Sequence, residues 1–375
     1  MSTLSIVFLA LLVLLLAAAA VLLIGRRRPA ATAPAPAAAA SPAAPAEATP
    51  APAAVPAPPA ALPEALRAFR PVAHESLPPA QVAALVQRLA QIPPPPLALH
   101  RLVSTEFLEA ARPTVLAEMI MAEAQIAARL LATVNAPKYG LRKPVGSVVQ
   151  AVSLLGLNTV RSLCLQHLLH NSFASAGPAH RQRLDRLLHA STLSSELCGR
   201  LAVALQLPEA GALVTQCVLS FLGQLAGTVL LQPGSAAWGP HGSLLARLDA
   251  EQQALGLASD ELGALLMQAW GLPASIVAEV RDIHRVLLTP AHLVDPRHAP
   301  RLALCHLCTL VGERLAQGQL QDLAALRLDA PDDPDLCHLA GYLALPALAG
   351  LGGLLQPGAP QAPRRQAQGS AAQPA

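Results

Sequence analysis

The sequence predicts an all-α fold: one multi-helix domain preceded by a single transmembrane helix and an Ala/Pro-rich linker. Two observations predict the helices. The chain is 53% hydrophobic yet only 2% aromatic, so Ala and Leu are plentiful while the β-branched and aromatic runs that make strands are scarce. Apolar residues in the middle of the chain also recur at helical spacing between short Pro- and Gly-marked breaks. The anchor rests on a third observation, an unbroken apolar run from Leu4 to Ile24, as long as the ~20 residues that a helix needs to cross a bilayer.

Arg26-Arg27-Arg28 follows that run, and only the α-amine carries positive charge before it. The positive-inside rule then puts the N-terminus outside and the rest of the chain in the cytoplasm, at the inner membrane. A cleaved signal peptide would carry its basic residues on the other side of a shorter apolar core. Three arginines suffice to set topology, whereas lipid-binding clusters carry about 4–8. Residues 1–28 are therefore expected to be an anchor. Residues 29–61 are almost wholly Ala and Pro, with one acid, Glu47, and read as an extended linker reaching up to ~100 Å. Residues 357–375, rich in Pro, Gln, Ala and Ser, read as a disordered tail. The folded domain is then 62–356.

Within it, Pro79 to Gln91 is amphipathic, with Val82, Leu85, Val86 and Leu89 on one stripe, and Pro93 to Pro96 end it. Thr114 to Val134 reads as one helix with Thr114 as N-cap, carrying Val115, Leu116, Met119, Ile120, Ile126, Leu130 and Leu131. Asn135, Pro137 and Gly140 break it. Ser147 and Gln150 have capping-box spacing at the head of a short apolar helix, and Gly156 stands where that helix stops. Further helices are expected over Asn158–His170, Leu184–Leu205, Gly211–Leu231, Ser243–Gly256, Ser259–Trp270, Pro273–Leu288 and Pro300–Gln317. A weaker pair lies between Gln319 and Leu355.

Charge and cysteine content narrow the function. A net charge of +3, with dispersed basic residues, does not suit a general nucleic-acid binder. Six cysteines without a dense framework read as reduced thiols of a cytoplasmic domain.

Several of these segments carry a resemblance. Ile92-Pro-Pro-Pro-Pro-Leu97, Ile126 to Leu131, Asn135-Ala-Pro-Lys-Tyr-Gly140 and Val148 to Leu157 resemble the signature of the HDOD domain family. Weaker similarity runs from Leu188-His-Ala-Ser191 through Ala202 and resumes at Leu262 to Pro273 and Ile283-His284. The resemblance covers residues 77–317. It implies an HD-like helical fold, related to metal-dependent phosphohydrolases but generally without their metal-binding residues. The signature residues Asn135, Pro137, Tyr139, Gly140, Gly156 and Leu157 are read as structural, since a sharp turn between helices needs this chemistry. Glu123-Ala124 replaces the family's common Asp-Pro, a change expected to affect a turn of helix and no more.

The resemblance raises a chemical question that the residues answer. An HD hydrolase places His and Asp side by side so that imidazole and carboxylate ligate one metal. Ser220 and Phe221 stand at the corresponding positions, and His189 and His284 fall near the family's other ligand positions. Phe cannot ligate, Ser ligates divalent ions poorly, and two distant imidazoles do not make a site. Cys305-His306-Leu307-Cys308 holds one CxxC with no second pair to complete a zinc tetrad, so both cysteines are expected to pack as small apolar residues. His167 and His170, three apart on one helix, read as surface. Gln150 to Arg161 mimics a helix-turn-helix, yet Arg161 is the only cation on the would-be recognition helix, too few for DNA.

The expected protein is accordingly no enzyme. It is a signalling or regulatory module working through protein–protein contacts with unnamed signalling partners at the membrane, without cofactor, metal or nucleic acid. The alternatives are a nucleotide or phospho-ligand sensor using the degenerate HD cleft, and a residual metal-dependent phosphohydrolase.

Overall fold

Pro178 opens the longest helix among the described residues, Pro178–Ala204, because a proline fixed near φ −65° suits the first helical position and costs no hydrogen bond there. The structure, a computed structural model, describes residues 62–356 except 97, 105, 106, 108–111, 142, 175, 240, 329, 331 and 332. The expected anchor (1–28, with its span at 4–24), linker (29–61) and tail (357–375) lie outside the described residues. All described residues belong to one unit of the chain, residues 54–375.

In chain order the α-helices are α1 Glu64–Ala68, α2 Pro79–Leu89, α3 Ala98–Val103, α4 Pro113–Met121, α5 Ala124–Val134, α6 Val148–Leu155, α7 Leu157–Ser172, α8 Pro178–Ala204, α9 Ala210–Leu219, α10 Leu222–Leu230, α11 Leu244–Leu255, α12 Ser259–Ala269, α13 Ala274–Arg281, α14 Ala299–Ala316, α15 Leu339–Leu343 and α16 Leu351–Leu354. The remaining ordered elements are short 3₁₀ turns, and no strand occurs among the described residues. The expected all-α fold is what forms.

Helix α8 is the axis, flanked by α14, α9 and α7. Gly312 of α14 lets the two helices approach so closely that a Cβ there would lie 2.8 Å from the Ala190 carbonyl oxygen. A second close crossing joins α10 to α12, where the Gly223 backbone rests on the Ser259 carbonyl. The apolar core runs continuously through these helices, with Leu165, Leu213, Leu222, Leu262 and Leu304 fully buried. The stretch Ala210–Leu230 is long and apolar enough to cross a membrane, but 83% of it is buried inside the domain. Here it is a core element.

Four expectations are corrected in detail. The helix read over Thr114–Val134 is two helices, α4 and α5, with Glu123 extended between them (φ −118°, ψ 91°). Both pack on α6, which has only 8 residues, about 12 Å. A straight helix of ~30 Å would overrun it, whereas a bent one applies both halves. Thr114 is not the N-cap: Arg112 precedes Pro113 at the helix start. Ser147 stands at the N-cap of α6 but makes no side-chain capping bond. The helix read over Gly211–Leu231 is interrupted at Ser220-Phe221, which divides it into α9 and α10.

The remaining boundaries follow local chemistry. Ser243 accepts the Ala246 amide at 3.1 Å, and Gly256, at φ 83°, closes α11. Gly156, at φ 81°, ends α6 and starts α7, turning the chain through 115°. Few side chains other than glycine adopt that φ without strain.

Candidate functional site

The signature loop is a staple. Asn135 closes α5 and reaches across to Val145: its amide donates to the Leu131 and Val145 carbonyls, both at 2.9 Å, and its carbonyl oxygen accepts the Val145 amide at 2.7 Å. Pro137 starts a 3₁₀ turn through Tyr139, and Gly140 leaves it in the left-handed region at φ 58°. Leu157 is half-buried at the head of α7. These residues shape the entry to α6, and none of them lines the cavity described below.

At the position corresponding to the metal-binding dipeptide, the Ser220 hydroxyl donates to the Cys217 carbonyl at 2.9 Å, and Phe221 is 1% exposed in the core. His189 lies exposed on α8. His284 is buried, its Nδ1 3.1 Å from Nδ1 of His306 and its Nε2 3.9 Å from Asp260. No hydrogen bond or ion pair joins Ser220, His189 and His284 among the described residues. Burial, reinforced by the facing His306, holds the His284 imidazole well below its ordinary range, and burial pushes His306 down to about 4. The pair is therefore neutral at pH 7, one ring donating to the other. This set does not fit the metal centre of an HD hydrolase, because one ligand position is aromatic and a second imidazole faces solvent.

The principal cavity lies elsewhere. About 440 Å³ in volume, it is bounded by α8, α14, the start of α11 and the segment around Trp238. Four arginines line it, Arg183, Arg186, Arg247 and Arg314, together with His241 and the carboxylates Glu313 and Asp335. Two of the arginines are neutralised. Arg247 sits between Glu251, at 2.8 Å, and Glu313, at 3.1 Å, and also donates to the Ser259 hydroxyl at 3.1 Å. Burial disfavours its charge, but the two carboxylates outweigh burial and hold the guanidinium above its ordinary range. Arg314 pairs with Asp333 at 3.0 Å and Asp335 at 2.9 Å, and Asp335 accepts the Leu244 and Leu245 amides at the head of α11.

The other two arginines give the cavity its sign. Arg183 donates to the Thr228 hydroxyl and the Trp238 carbonyl, both at 3.1 Å, and stacks over the Trp238 ring at 5.9 Å. Among the described residues no carboxylate pairs with it, and burial pulls its guanidinium below the ordinary range. Arg186 stands exposed at the rim. With Glu251 and Glu313 near but not bonded to it, Arg183 is a partly buried cation that hydrogen-bonds only neutral groups beside an open volume, and such a group attracts an anion.

The other sequence candidates are placed as follows. Cys305 and Cys308 are buried on α14. His167 is half-buried on α7 beside Asn171, at 3.2 Å, while His170 is exposed. Arg161 is 1% exposed and stacked on Phe107 at 5.1 Å, so it offers nothing to a DNA groove. Sequence reasoning missed Arg183, Arg247 and Arg314, and read His306 only as part of the CxxC segment. No motif joins the three arginines, and only the packing of α8, α11 and α14 brings them to one cavity, while His306 lies against His284.

Comparison with known proteins identifies the family and the fold. A family model described as the HDOD domain matches residues 92–286. No curated protein matches the chain. Among solved structures, an HDOD domain protein from Geobacter sulfurreducens is similar at 14% identity and a TM-score of 0.52, over 73% of this chain and 92% of that one. A protein of Shewanella amazonensis SB2B provisionally called a phosphohydrolase matches at 21% identity, TM-score 0.47, over 73% and 93%. One from Marinobacter aquaeolei VT8 provisionally called a signal transduction protein matches at 17%, TM-score 0.45, over 74% and 65%.

Proposed function

Because the chain belongs to the HDOD domain family, we propose that it is a non-catalytic signalling output module, acting through protein–protein contacts and tethered to the cytoplasmic face of the inner membrane. One observation carries the non-catalytic part. Where a hydrolase would hold a metal-binding His-Asp pair, Ser220 bonds back onto its own helix and Phe221 is buried in the core. The tether is supported by the apolar run from Leu4 to Ile24 and the arginines after it.

The full-length chain, supplied with Mn²⁺ or Mg²⁺, is expected not to turn over cyclic dinucleotides or phosphomonoesters. Turnover that disappears in His284→Ala would overturn the non-catalytic reading. Proximity labelling from the anchored chain in its own cell is expected to recover a specific signalling protein; recovery of none would sink the adaptor role. Carbonate extraction and protease protection of the N-terminus test the tether.

A second reading is favoured by Arg183. The arginine-lined cavity, and not the degenerate HD cleft, suits an anionic phospho-ligand. A nucleotide binding the native state at 100 times its Kd raises stability by about 2.7 kcal/mol. Thermal stabilisation by nucleotides that is lost in Arg183→Met supports this reading, and no shift across a nucleotide panel counts against it.

A further inference from the structure

Cysteines from three helices meet at one point in the core. Cys198 of α8, Cys217 of α9, and Cys305 and Cys308, one turn apart on α14, are each at most 1% exposed. The sulfurs of Cys198, Cys217 and Cys305 all lie within 4.8 Å of one another. The thiols of Cys217, Cys305 and Cys308 are all neighbours of Cys198. Two oxygens border the cluster, with Gln216 Oε1 and the Leu213 carbonyl each 3.7 Å from the Cys305 sulfur.

A buried cysteine that only fills space behaves as a small apolar side chain and has no reason to face other sulfurs. Here helices α8, α9 and α14 each direct a thiol to the same spot. In a tetrahedral thiolate site the metal–sulfur distance is ~2.3 Å, which sets adjacent sulfurs ~3.8 Å apart. The three mutual separations need to shrink by no more than about 1 Å to meet that geometry. A disulfide would require an approach to ~2.05 Å between one pair and would leave the other thiols aside.

We propose that Cys198, Cys217 and Cys305, joined by Cys308 from one turn further along α14 as fourth donor, form a structural binding site for a thiophilic divalent ion of the zinc class. Soft sulfur donors in tetrahedral array select such an ion over magnesium, calcium or manganese. The site cross-links the three helices on which the domain is built, and the Cys217 carbonyl accepts the Ser220 hydroxyl. It thereby fixes the junction of α9 and α10, where the resemblance puts the dipeptide positions. Arg301, one turn before Cys305 on α14, is paired with Glu209 at 2.6 Å. Thiols bind such an ion as thiolates, so binding expels protons and weakens as pH falls.

The test is metal analysis of the full-length chain purified without chelators. About one equivalent of zinc per chain is expected, and replacing it with cobalt(II) is expected to give the intense thiolate-to-cobalt charge-transfer absorption of a multi-cysteine site. Cys198→Ala is expected to lose both signals, while Cys337→Ala, a buried cysteine outside the cluster, keeps them. Unmetallated wild-type chain with all thiols free and no cobalt band overturns the site. So does bound iron with inorganic sulfide, or a disulfide among the four found by mass spectrometry under non-reducing conditions. The wild-type measurements decide the matter even where a cysteine variant fails to fold.

Discussion

Replacing Arg247 with methionine isolates the electrostatics of the core. The Arg247 side chain is 4% exposed and its partners Glu251 and Glu313 are 5% and 11% exposed. Met fills similar space but supplies no charge, so two carboxylates remain in a low-dielectric interior with no counter-ion. Breaking a buried ion pair in this way costs about 3–5 kcal/mol, a large share of the ~5–15 kcal/mol stability of a typical protein. Urea denaturation followed by circular dichroism measures the loss. A loss below about 1 kcal/mol would refute the assignment of this triad as a buried, mutually dependent set.

Three further outcomes follow from single residues. His284 and His306 are held below their ordinary range, His306 at about 4, so the unfolded chain binds protons first and stability falls as pH drops from ~6.5 towards 4; His306→Asn is expected to flatten that slope in scanning calorimetry. Gly223→Ala drives a methyl group into the Ser259 carbonyl of α12, backbone that cannot yield, and is expected to lower stability by about 3 kcal/mol or more. Gly227→Ala, whose Cβ would meet Leu255 at an ordinary 3.8 Å, is expected to be neutral or to stabilise by ~0.5–1 kcal/mol through helix propensity; equal thermal shifts for the two variants would contradict the crossing geometry. Asn135→Ala leaves the Val145 amide and carbonyl without their side-chain partner, at a cost of about 1–3 kcal/mol, and amide exchange at Val145 is expected to quicken.

Much of the fold was legible because helix periodicity and breakers are local. Pro79, Gly256 and the Ser243 cap mark boundaries that the structure keeps. The breaks were not legible. Nothing within Thr114–Val134 or Gly211–Leu231 forbids a straight helix, and the breaks at Glu123 and Ser220 serve packing on α6 and α12. The candidate site divides in the same way. The identity of Ser220 and Phe221 could be read directly, whereas the cavity around Arg183 and the facing imidazoles of His284 and His306 are joined only across long sequence separations.

The sequence by itself determined the all-α class, the order of the helices, the HDOD resemblance and the identity of Ser220 and Phe221, since each depends on residue identity within a turn or two of chain. Tertiary structure decided which charges are buried, that Arg183 bonds to neutral groups while Arg247 meets carboxylates, and that Cys198 and Cys217 come together with Cys305. The physical reason is that ligand geometry and desolvation depend on distances between helices, and those distances are set where glycines such as Gly223 and Gly312 let backbones touch.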